Sequence, residues 1–222
     1  MSLNAQEKIK CPKCGTLNDV TLWQSLTVSD SPDLKQELMR GNINVLSCTS
    51  CSTRALVPTP LLYHDEEKKL LFSFYPVNDA DKAREYLSEI RESSRKSGEL
   101  EEYRDYVLRF VSDYNALMEK ILIFDAGLND KTIEIIKLMV LMQDESMADK
   151  RTALFGKKYE NGTIEIMVKD NEGDGIFTSR APFETYTAIH NELLRSGVKD
   201  ISYDWEVVDK AYAKRLLTGI NN

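Results

Sequence analysis

The chain has 222 residues, of which 42% are hydrophobic and 29% charged, a composition typical of a folded protein and not of a disordered one. Its 36 acidic and 29 basic side chains give a net charge of −7, which disfavours binding to phosphate backbones and to anionic lipid. No apolar run reaches the ~18 residues of a membrane-spanning helix, and the N-terminus lacks a signal-peptide pattern, so we expect a cytoplasmic protein without membrane association.

The first 75 or so residues predict mainly β-structure. Residues 20–28 are rich in β-branched and aromatic side chains, which is typical of a strand. Ser31 followed by Pro32 indicates the start of a short helix. Two further stretches, 61–64 and 70–75, flank a polar turn and predict a strand pair.

The middle of the chain predicts helices. Residues 78–96 carry one apolar stripe, and apolar residues recur at spacings of three and four between residues 99 and 124, which predicts a long amphipathic helix. Asn129 or Asp130 then caps a helix that extends to about residue 142. The short connection between these two helices predicts an antiparallel helical hairpin.

The last third predicts a small sheet with helices. Residues 153–169 form a β-hairpin pattern around Asn161 and Gly162, a pair that favours a type I′ turn. A third strand is predicted at 176–179, and Pro182 opens a helix that runs to Arg195. The final elements are a strand at 201–205 and a helix at 208–217.

The four cysteines form two Cys-x-x-Cys pairs, Cys11 with Cys14 and Cys48 with Cys51. Two thiolates at this spacing can bind one tetrahedral ion from a tight turn, and Gly15 permits the positive φ that often follows the second ligand. In a reducing compartment the pattern favours metal ligands over disulfides. The 33 residues between the pairs exceed the spacing of common zinc ribbons and can hold the predicted strand and helix as an insertion. Four thiolates leave no position for water, so we predict one structural zinc ion.

Two alternatives to structural zinc stay open at this point. Iron takes the same four ligands in a tetrathiolate site, so the metal found after purification could differ. The cysteines could also be metal-free or redox-active thiols, although neither pair opens a helix after a strand as a thioredoxin-type motif does.

Six segments carry a pattern shared with a known family: Cys-Pro-x-Cys at 11–14, Ser-Leu-Thr-Val at 25–28, Asp-Leu-Lys at 33–35, Gly-Asn-Ile-Asn at 41–44, Cys-x-x-Cys at 48–51 and Leu-Tyr-His-Asp at 62–65. Together they resemble the CpXC domain family. The resemblance covers about residues 10–75 and continues through the helical stretch 115–137. Thr49 stands where the family's second motif has proline, which leaves all four ligands in place. The resemblance implies zinc binding by the cysteines and implies no activity.

His64 and Asp65 are the second-tier site candidates, because a carboxylate can orient an imidazole. Adjacent residues on a strand point to opposite faces, however, which favours a structural or surface histidine. His190 lies in a predicted amphipathic helix and has the same structural interpretation. The sequence contains no nucleophile elbow, phosphate-binding loop or His-Glu-x-x-His motif.

We predict an α+β fold in three parts. A zinc-tied, β-rich N-terminal domain comprises residues 1–76, a region containing the helical hairpin comprises 77–145, and a small unit of a β-hairpin plus helices comprises 146–222. The favoured function is a non-catalytic zinc-binding interaction module that binds a protein partner or self-associates. The predicted helix 99–124 would present its apolar surface.

The sequence leaves two other functions open. A nucleic-acid-binding zinc ribbon would have to gather a small set of basic residues near the cysteines, against the acidic balance of the chain; these are Lys8, Lys10, Lys13, Lys35 and Arg54. An enzyme would have its site outside the cysteines, with His64, Asp65 and the acids at 79–81 as its first candidates.

Overall fold

The computed structural model describes residues 1–144 and 148–220, which form seven helices and ten strands in three sheets. This confirms the predicted α+β class. The chain divides into two units: unit 1 comprises Met1–Met118 with Ile201–Glu206, and unit 2 comprises Glu119–Asp200 with Val207–Asn222. The predicted boundary at residues 145 and 146 lies outside the described residues, and the three-part division stays a prediction.

Unit 1 contains most of the predicted β-structure. Its elements, in chain order, are β1 (Leu3–Lys10), β2 (Leu17–Thr27), α1 (Pro32–Met39), β3 (Val45–Ser47), β4 (Arg54–Leu56), β5 (Leu61–Asp65), β6 (Leu70–Phe74), α2 (Ala80–Ser97), α3 (Glu99–Glu102), β7 (Val107–Val111) and the first turn of α4 (Tyr114–Asp125). Five strands form a mixed sheet in the order β1-β2-β5-β6-β7, and β3 pairs with β4 separately. The strands predicted at 20–28, 61–64 and 70–75 and the helix begun by Pro32 are therefore confirmed.

Strand β1 was not predicted. It is an edge strand that pairs antiparallel with β2, and its side chains are exposed or only half-buried. A strand with little burial on either face carries no clear alternation of apolar and polar residues, which is the signal that sequence interpretation depends on.

The predicted long helix over 99–124 is wrong. Helix α3 ends at Glu102, β7 follows, and α4 begins only at Tyr114. All five residues of β7 are buried, and the strand pairs in parallel with β6. The strand is buried on both faces, and its four apolar residues around Arg109 match helical spacing as easily as they match a strand. Periodicity alone could therefore not separate the two structures.

The residues predicted as a strand at 201–205 form no regular strand, and the next residue, Glu206, makes an isolated bridge with Arg109. We call residues 201–206 the return segment. The Arg109 side chain is fully buried, and its Nη1 donates to Glu206 Oε2 and to Ser202 Oγ at 2.7 Å each. Trp205 Nε1 donates to Ser94 Oγ at 3.1 Å. A buried cation and a buried indole therefore fasten this segment within unit 1.

Unit 2 is built around a three-stranded antiparallel sheet. Its elements are the remainder of α4, α5 (Asp130–Met142), β8 (Arg151–Lys158), β9 (Ile164–Asp170), β10 (Ile176–Ala181), α6 (Phe183–Arg195) and α7 (Lys210–Ile220). The predicted hairpin, third strand and last two helices are confirmed. Ile164, Ile166 and Val168 are buried in one core cluster with Ile133 and Ile136 of α5.

The hairpin turn differs from the predicted type I′. Gly162 has φ +83°, but Asn161 is not among the residues with positive φ, and a type I′ turn needs both. Tyr159 and Thr163 close the loop through Tyr159 N–H and Thr163 O at 2.8 Å. The loop therefore has three residues and ends in a left-handed glycine, which is the next most common way to connect such strands.

A charged group is buried between α4, α5 and β8. Lys137 Nζ lies 2.9 Å from Glu119 Oε2 and 2.7 Å from Glu134 Oε1, and the amide of Phe155 donates to the other Glu119 oxygen. Burial raises the pKa of Glu134, because a charged carboxylate is poorly solvated there. Burial by itself would lower the pKa of Lys137, but the two carboxylates raise it.

The N-cap of α5 gives a first test of local structure. The Asn129 side chain accepts hydrogen bonds from the amides of Lys131 and Thr132 at 2.9 and 3.4 Å. We expect Asn129→Ala to lower the free energy of unfolding by about 1–2 kcal/mol, because two helix N–H groups lose their acceptor. Asn129→Ser keeps a capping oxygen and should recover part of the loss in chemical denaturation. Equal stability of the alanine variant and the wild type would contradict this role.

Among the described residues, no helix is both long and apolar enough to cross a bilayer.

Candidate metal centre

The first cysteine pair lies in a tight turn, residues 11–16, between β1 and β2; we call it the first knuckle. The amide of Cys11 donates to Thr16 O, and that of Gly15 donates to Cys11 O, both at 2.9 Å. Gly15 has φ +75°, as predicted, and open space surrounds the position of a Cβ there. The left-handed backbone, not crowding, is therefore what favours glycine.

The second pair lies in a turn of the same form, residues 48–53, between β3 and β4; we call it the second knuckle. The amide of Cys48 donates to Thr53 O at 2.9 Å, and that of Ser52 to Cys48 O at 3.0 Å. Ser52 takes the place of Gly15, with φ +56°. A side chain in this conformation costs on the order of 1 kcal/mol, so the turn geometry is held against a local preference.

The two knuckles bring all four sulfurs together. Every pair of Sγ atoms lies within 4.8 Å, with Cys11 and Cys51 at 3.7 Å and Cys14 and Cys48 at 3.5 Å. Metal–sulfur bonds of about 2.3 Å in a tetrahedron place the sulfurs about 3.8 Å apart, whereas a disulfide needs about 2.05 Å. The donor set and its spacing fit a tetrahedral ion, so these cysteines could hold one.

The four ligands differ in exposure. Cys11 and Cys48, the first member of each pair, are 3% and 5% exposed, whereas Cys14 is exposed and Cys51 half-buried. The two buried sulfurs belong to a small apolar cluster that also contains Val20 and Leu46. Because so few apolar side chains fill this cluster, a metal ion would be a large part of what holds the two knuckles together.

Hydroxyl groups reach the two more exposed sulfurs. Thr16 Oγ1 lies 3.3 Å from Cys14 Sγ, and Thr53 Oγ1 lies 3.2 Å from Cys51 Sγ. Hydrogen bonds from the Thr16 hydroxyl and amide lower the pKa of Cys14 to about 6, since they stabilise the thiolate. The lowered pKa favours the Cys14 thiolate, which is the form that binds metal.

The pKa values of the two buried thiols, Cys11 and Cys48, shift in opposite directions. The amide of Cys51 lowers the pKa of Cys48 by donating to its thiolate. The amide of Cys14 acts in the same sense on Cys11, but burial and the hydrogen bonds with neighbouring thiols outweigh it and raise the pKa of Cys11. A bound cation would favour the thiolate form at all four positions.

Asn18 links the knuckles. Its Nδ2 donates to Thr16 O at 2.8 Å and lies 3.8 Å from Cys48 Sγ, and its Oδ1 accepts from the amide and the hydroxyl of Thr49 at 2.9 and 3.1 Å. The side chain is 5% exposed, so these bonds form away from water. Asn18 thus joins the end of the first knuckle to the start of the second.

Sequence interpretation missed the two threonines and Asn18. A signal for the threonines is present, because both knuckles read Cys-x-x-Cys-x-Thr. Asn18 has no such signal, since its partners in the second knuckle, Cys48 and Thr49, lie 30 and 31 residues away along the chain.

The second-tier candidates do not meet in one site. His64 Nε2 lies 3.3 Å from the Tyr106 hydroxyl, and burial lowers the pKa of this histidine, which favours its neutral form. Asp65 is buried; its Oδ2 lies 3.2 Å from Lys35 Nζ and accepts from the Tyr63 hydroxyl at 3.2 Å. The neighbours thus have separate partners, which fits the opposite faces of a strand.

The acids at 79–81 have local partners instead. Asp79 caps α2 by accepting from the amides of Asp81 and Lys82, and the Asp81 carboxylate pairs with Arg84. In unit 2, His190 Nδ1 lies 3.0 Å from Thr132 Oγ1. These contacts are those of a helix cap, a surface ion pair and the packing of α6 against α5.

Comparison with known proteins gives one match. The model of the family described as CpXC protein matches residues 9–137, more than half of the chain and a range that includes both knuckles. No curated protein and no solved structure gave a significant match.

Proposed function

The chain belongs to the CpXC family, and from this membership and the geometry of its cysteines we propose that it is a zinc-binding protein whose metal is structural. The observation that carries the proposal is the convergence of four sulfurs within 4.8 Å. Four thiolates complete a tetrahedron, so neither water nor a substrate has a coordination position. Zinc suits such a site because it has no redox chemistry and accepts tetrahedral geometry without preference from d-electrons.

In this proposal the ion acts on folding. Metal ligation in small tetrathiolate sites contributes on the order of 10 kcal/mol, comparable with the whole stability of a domain. The insertion between the knuckles, with α1 and β3, would then be anchored at both ends by metal-bound turns. We expect the fold of the knuckles to depend on the ion.

We place the cellular role in contacts with a protein partner, since the metal has no open position for chemistry. A nucleic-acid-binding ribbon is less well supported, because three of its candidate basic residues have local partners. Lys8 pairs with Asp19, Lys35 pairs with Asp65, and Arg54 donates to Asn42. We expect no salt-dependent binding to RNA or DNA in a filter or anisotropy assay; such binding would favour the ribbon alternative.

Metal content is the test of the central claim. Protein purified under reducing conditions should carry about one zinc per chain by elemental mass spectrometry, as expected from a closed site with four ligands. Iron in place of zinc would keep the structural role and change the identity of the metal. No metal together with four free thiols would contradict the proposal and make redox chemistry of the two pairs the leading hypothesis.

A further inference from the structure

In each knuckle the second cysteine is the ligand that faces solvent. Cys14 is exposed and Cys51 half-buried, whereas their partners Cys11 and Cys48 are buried. Solvent-facing thiolates are where a metal site is most open to attack, because water, acid, chelators and oxidants can reach them. Any device that retains the ion is most effective at these two positions.

The structure places a threonine hydroxyl at both of them. Thr16 Oγ1 is 3.3 Å from Cys14 Sγ and Thr53 Oγ1 is 3.2 Å from Cys51 Sγ, and each threonine follows its cysteine by two residues. Each threonine also has its carbonyl fixed, since it accepts from the amide of the first cysteine of its knuckle. The same backbone bond closes the turn in which each hydroxyl lies within hydrogen-bonding distance of the sulfur.

The two hydroxyls would stabilise the charge of a metal ion bound by the four thiolates. A zinc ion with four thiolates carries a net charge of −2. In the metal-free chain the Cys14 and Cys51 thiols donate to the threonine hydroxyls, but a thiolate has no proton to give, so each hydroxyl would become the donor and stabilise that charge without adding a cation. Groups that orient a ligand typically change metal affinity by 10–100-fold when they are removed. Asn18 extends the pattern to the buried Cys48 sulfur, at 3.8 Å.

We infer that Thr16 and Thr53 are positioning residues that retain the metal at its two solvent-facing thiolates. The inference rests on the proposed function, because it requires a bound ion. It assigns to both threonines a role in the rate of metal loss, separate from the role of the four ligands in metal binding.

The experiment compares Thr16→Val, Thr53→Val and the double variant with wild type, all loaded with zinc. Valine keeps the shape of threonine and removes the hydroxyl. The rate of zinc transfer to a chromogenic chelator should rise about tenfold in each single variant and up to about a hundredfold in the double variant. Alkylation by iodoacetamide, mapped by mass spectrometry, should rise at Cys14 in the first variant and at Cys51 in the second.

Three control variants separate hydrogen bonding from packing. Thr21→Val removes a β2 hydroxyl that contacts Gln6 and no sulfur, and it should release zinc at the wild-type rate. Thr16→Ser and Thr53→Ser keep the hydroxyl and remove the methyl group, so these variants should also release zinc slowly, as wild type does. Fast release from the serine variants would assign the effect to the methyl group and overturn the inference, even if the valine variants fold poorly.

The outcomes distinguish the inference from the function beneath it. A wild-type chain with one zinc, whose valine variants release zinc and react with iodoacetamide as wild type does, would overturn the role of the threonines alone. A wild-type chain that binds no metal would overturn both.

Discussion

Replacing Cys11 or Cys48 with serine is expected to remove the metal and unfold the knuckles. Both sulfurs are buried, so each variant loses a ligand and leaves a polar hydroxyl among Val20 and Leu46. Ligation of this kind contributes on the order of 10 kcal/mol, and whole domains are stable by about 5–15 kcal/mol. Metal content should fall to near zero, and the melting temperature should fall with it.

Trp23 should report the change. It lies on β2, and its amide and carbonyl both bond to the Asn44 side chain in the insertion between the knuckles. The only other tryptophan is Trp205, in the return segment, so a Trp23→Phe background identifies which one responds. Ser50→Ala, an exposed change between the ligands Cys48 and Cys51, is the matched control and should keep its metal. If Cys11→Ser kept both its zinc and its melting temperature, the ligands would be misassigned.

Replacing Lys137 with methionine is expected to lower the free energy of unfolding by about 3–5 kcal/mol at neutral pH, because removal of one partner leaves buried charge uncompensated. Glu119 and Glu134 would both lose their cation, and the lysine side chain that joins them is only 9% exposed. Urea unfolding at pH 7.5 would measure the loss. Lys214→Met is the control, since that lysine pairs with Asp149 on the surface and should contribute less than about 1 kcal/mol.

The Lys137→Met deficit should shrink as the pH falls. Burial already raises the pKa of Glu134 above its usual value of 4.5, and loss of the lysine would raise it further. A carboxyl group with a higher pKa in the folded state binds protons preferentially there, so protonation stabilises the folded state as the pH falls through that raised value. We expect a smaller difference between variant and wild type at pH 5 than at pH 7.5. A difference that is constant with pH would mean that packing, not charge, causes the loss.

The sequence predicted those features that depend on local chemistry. Both cysteine pairs, the start of α1 at Pro32, the helix capped by Asn129 and the hairpin around Gly162 each depend on a few adjacent residues whose geometry is restricted. Features set by distant partners were missed or misassigned. Strand β7 matched a helical pattern because all five of its residues are buried, so apolar and polar residues do not alternate along it.

The candidate site divides in the same way. The ligands were predicted because the spacing of two cysteines in one turn is itself the chemical requirement for binding an ion. The two threonines form a repeat in the sequence, but only the geometry of the turns shows that their hydroxyls contact the sulfurs. Asn18 contacts a residue 30 positions away along the chain, and no local sequence pattern predicts this contact.

The return segment determines when unit 1 can complete its folding during synthesis. Unit 1 takes its last six residues from positions 201–206, after the chain has passed through 119–200 of unit 2. Until they leave the ribosome, Arg109 lacks the carboxylate of Glu206 and Ser94 lacks the Trp205 indole, a partner 111 residues away. A nascent chain that ended at residue 118 would contain all four cysteines and all five strands of the main sheet, and could bind its ion. Arg109 and Ser94 would still lack their return-segment partners, which are synthesised only after residues 119–200.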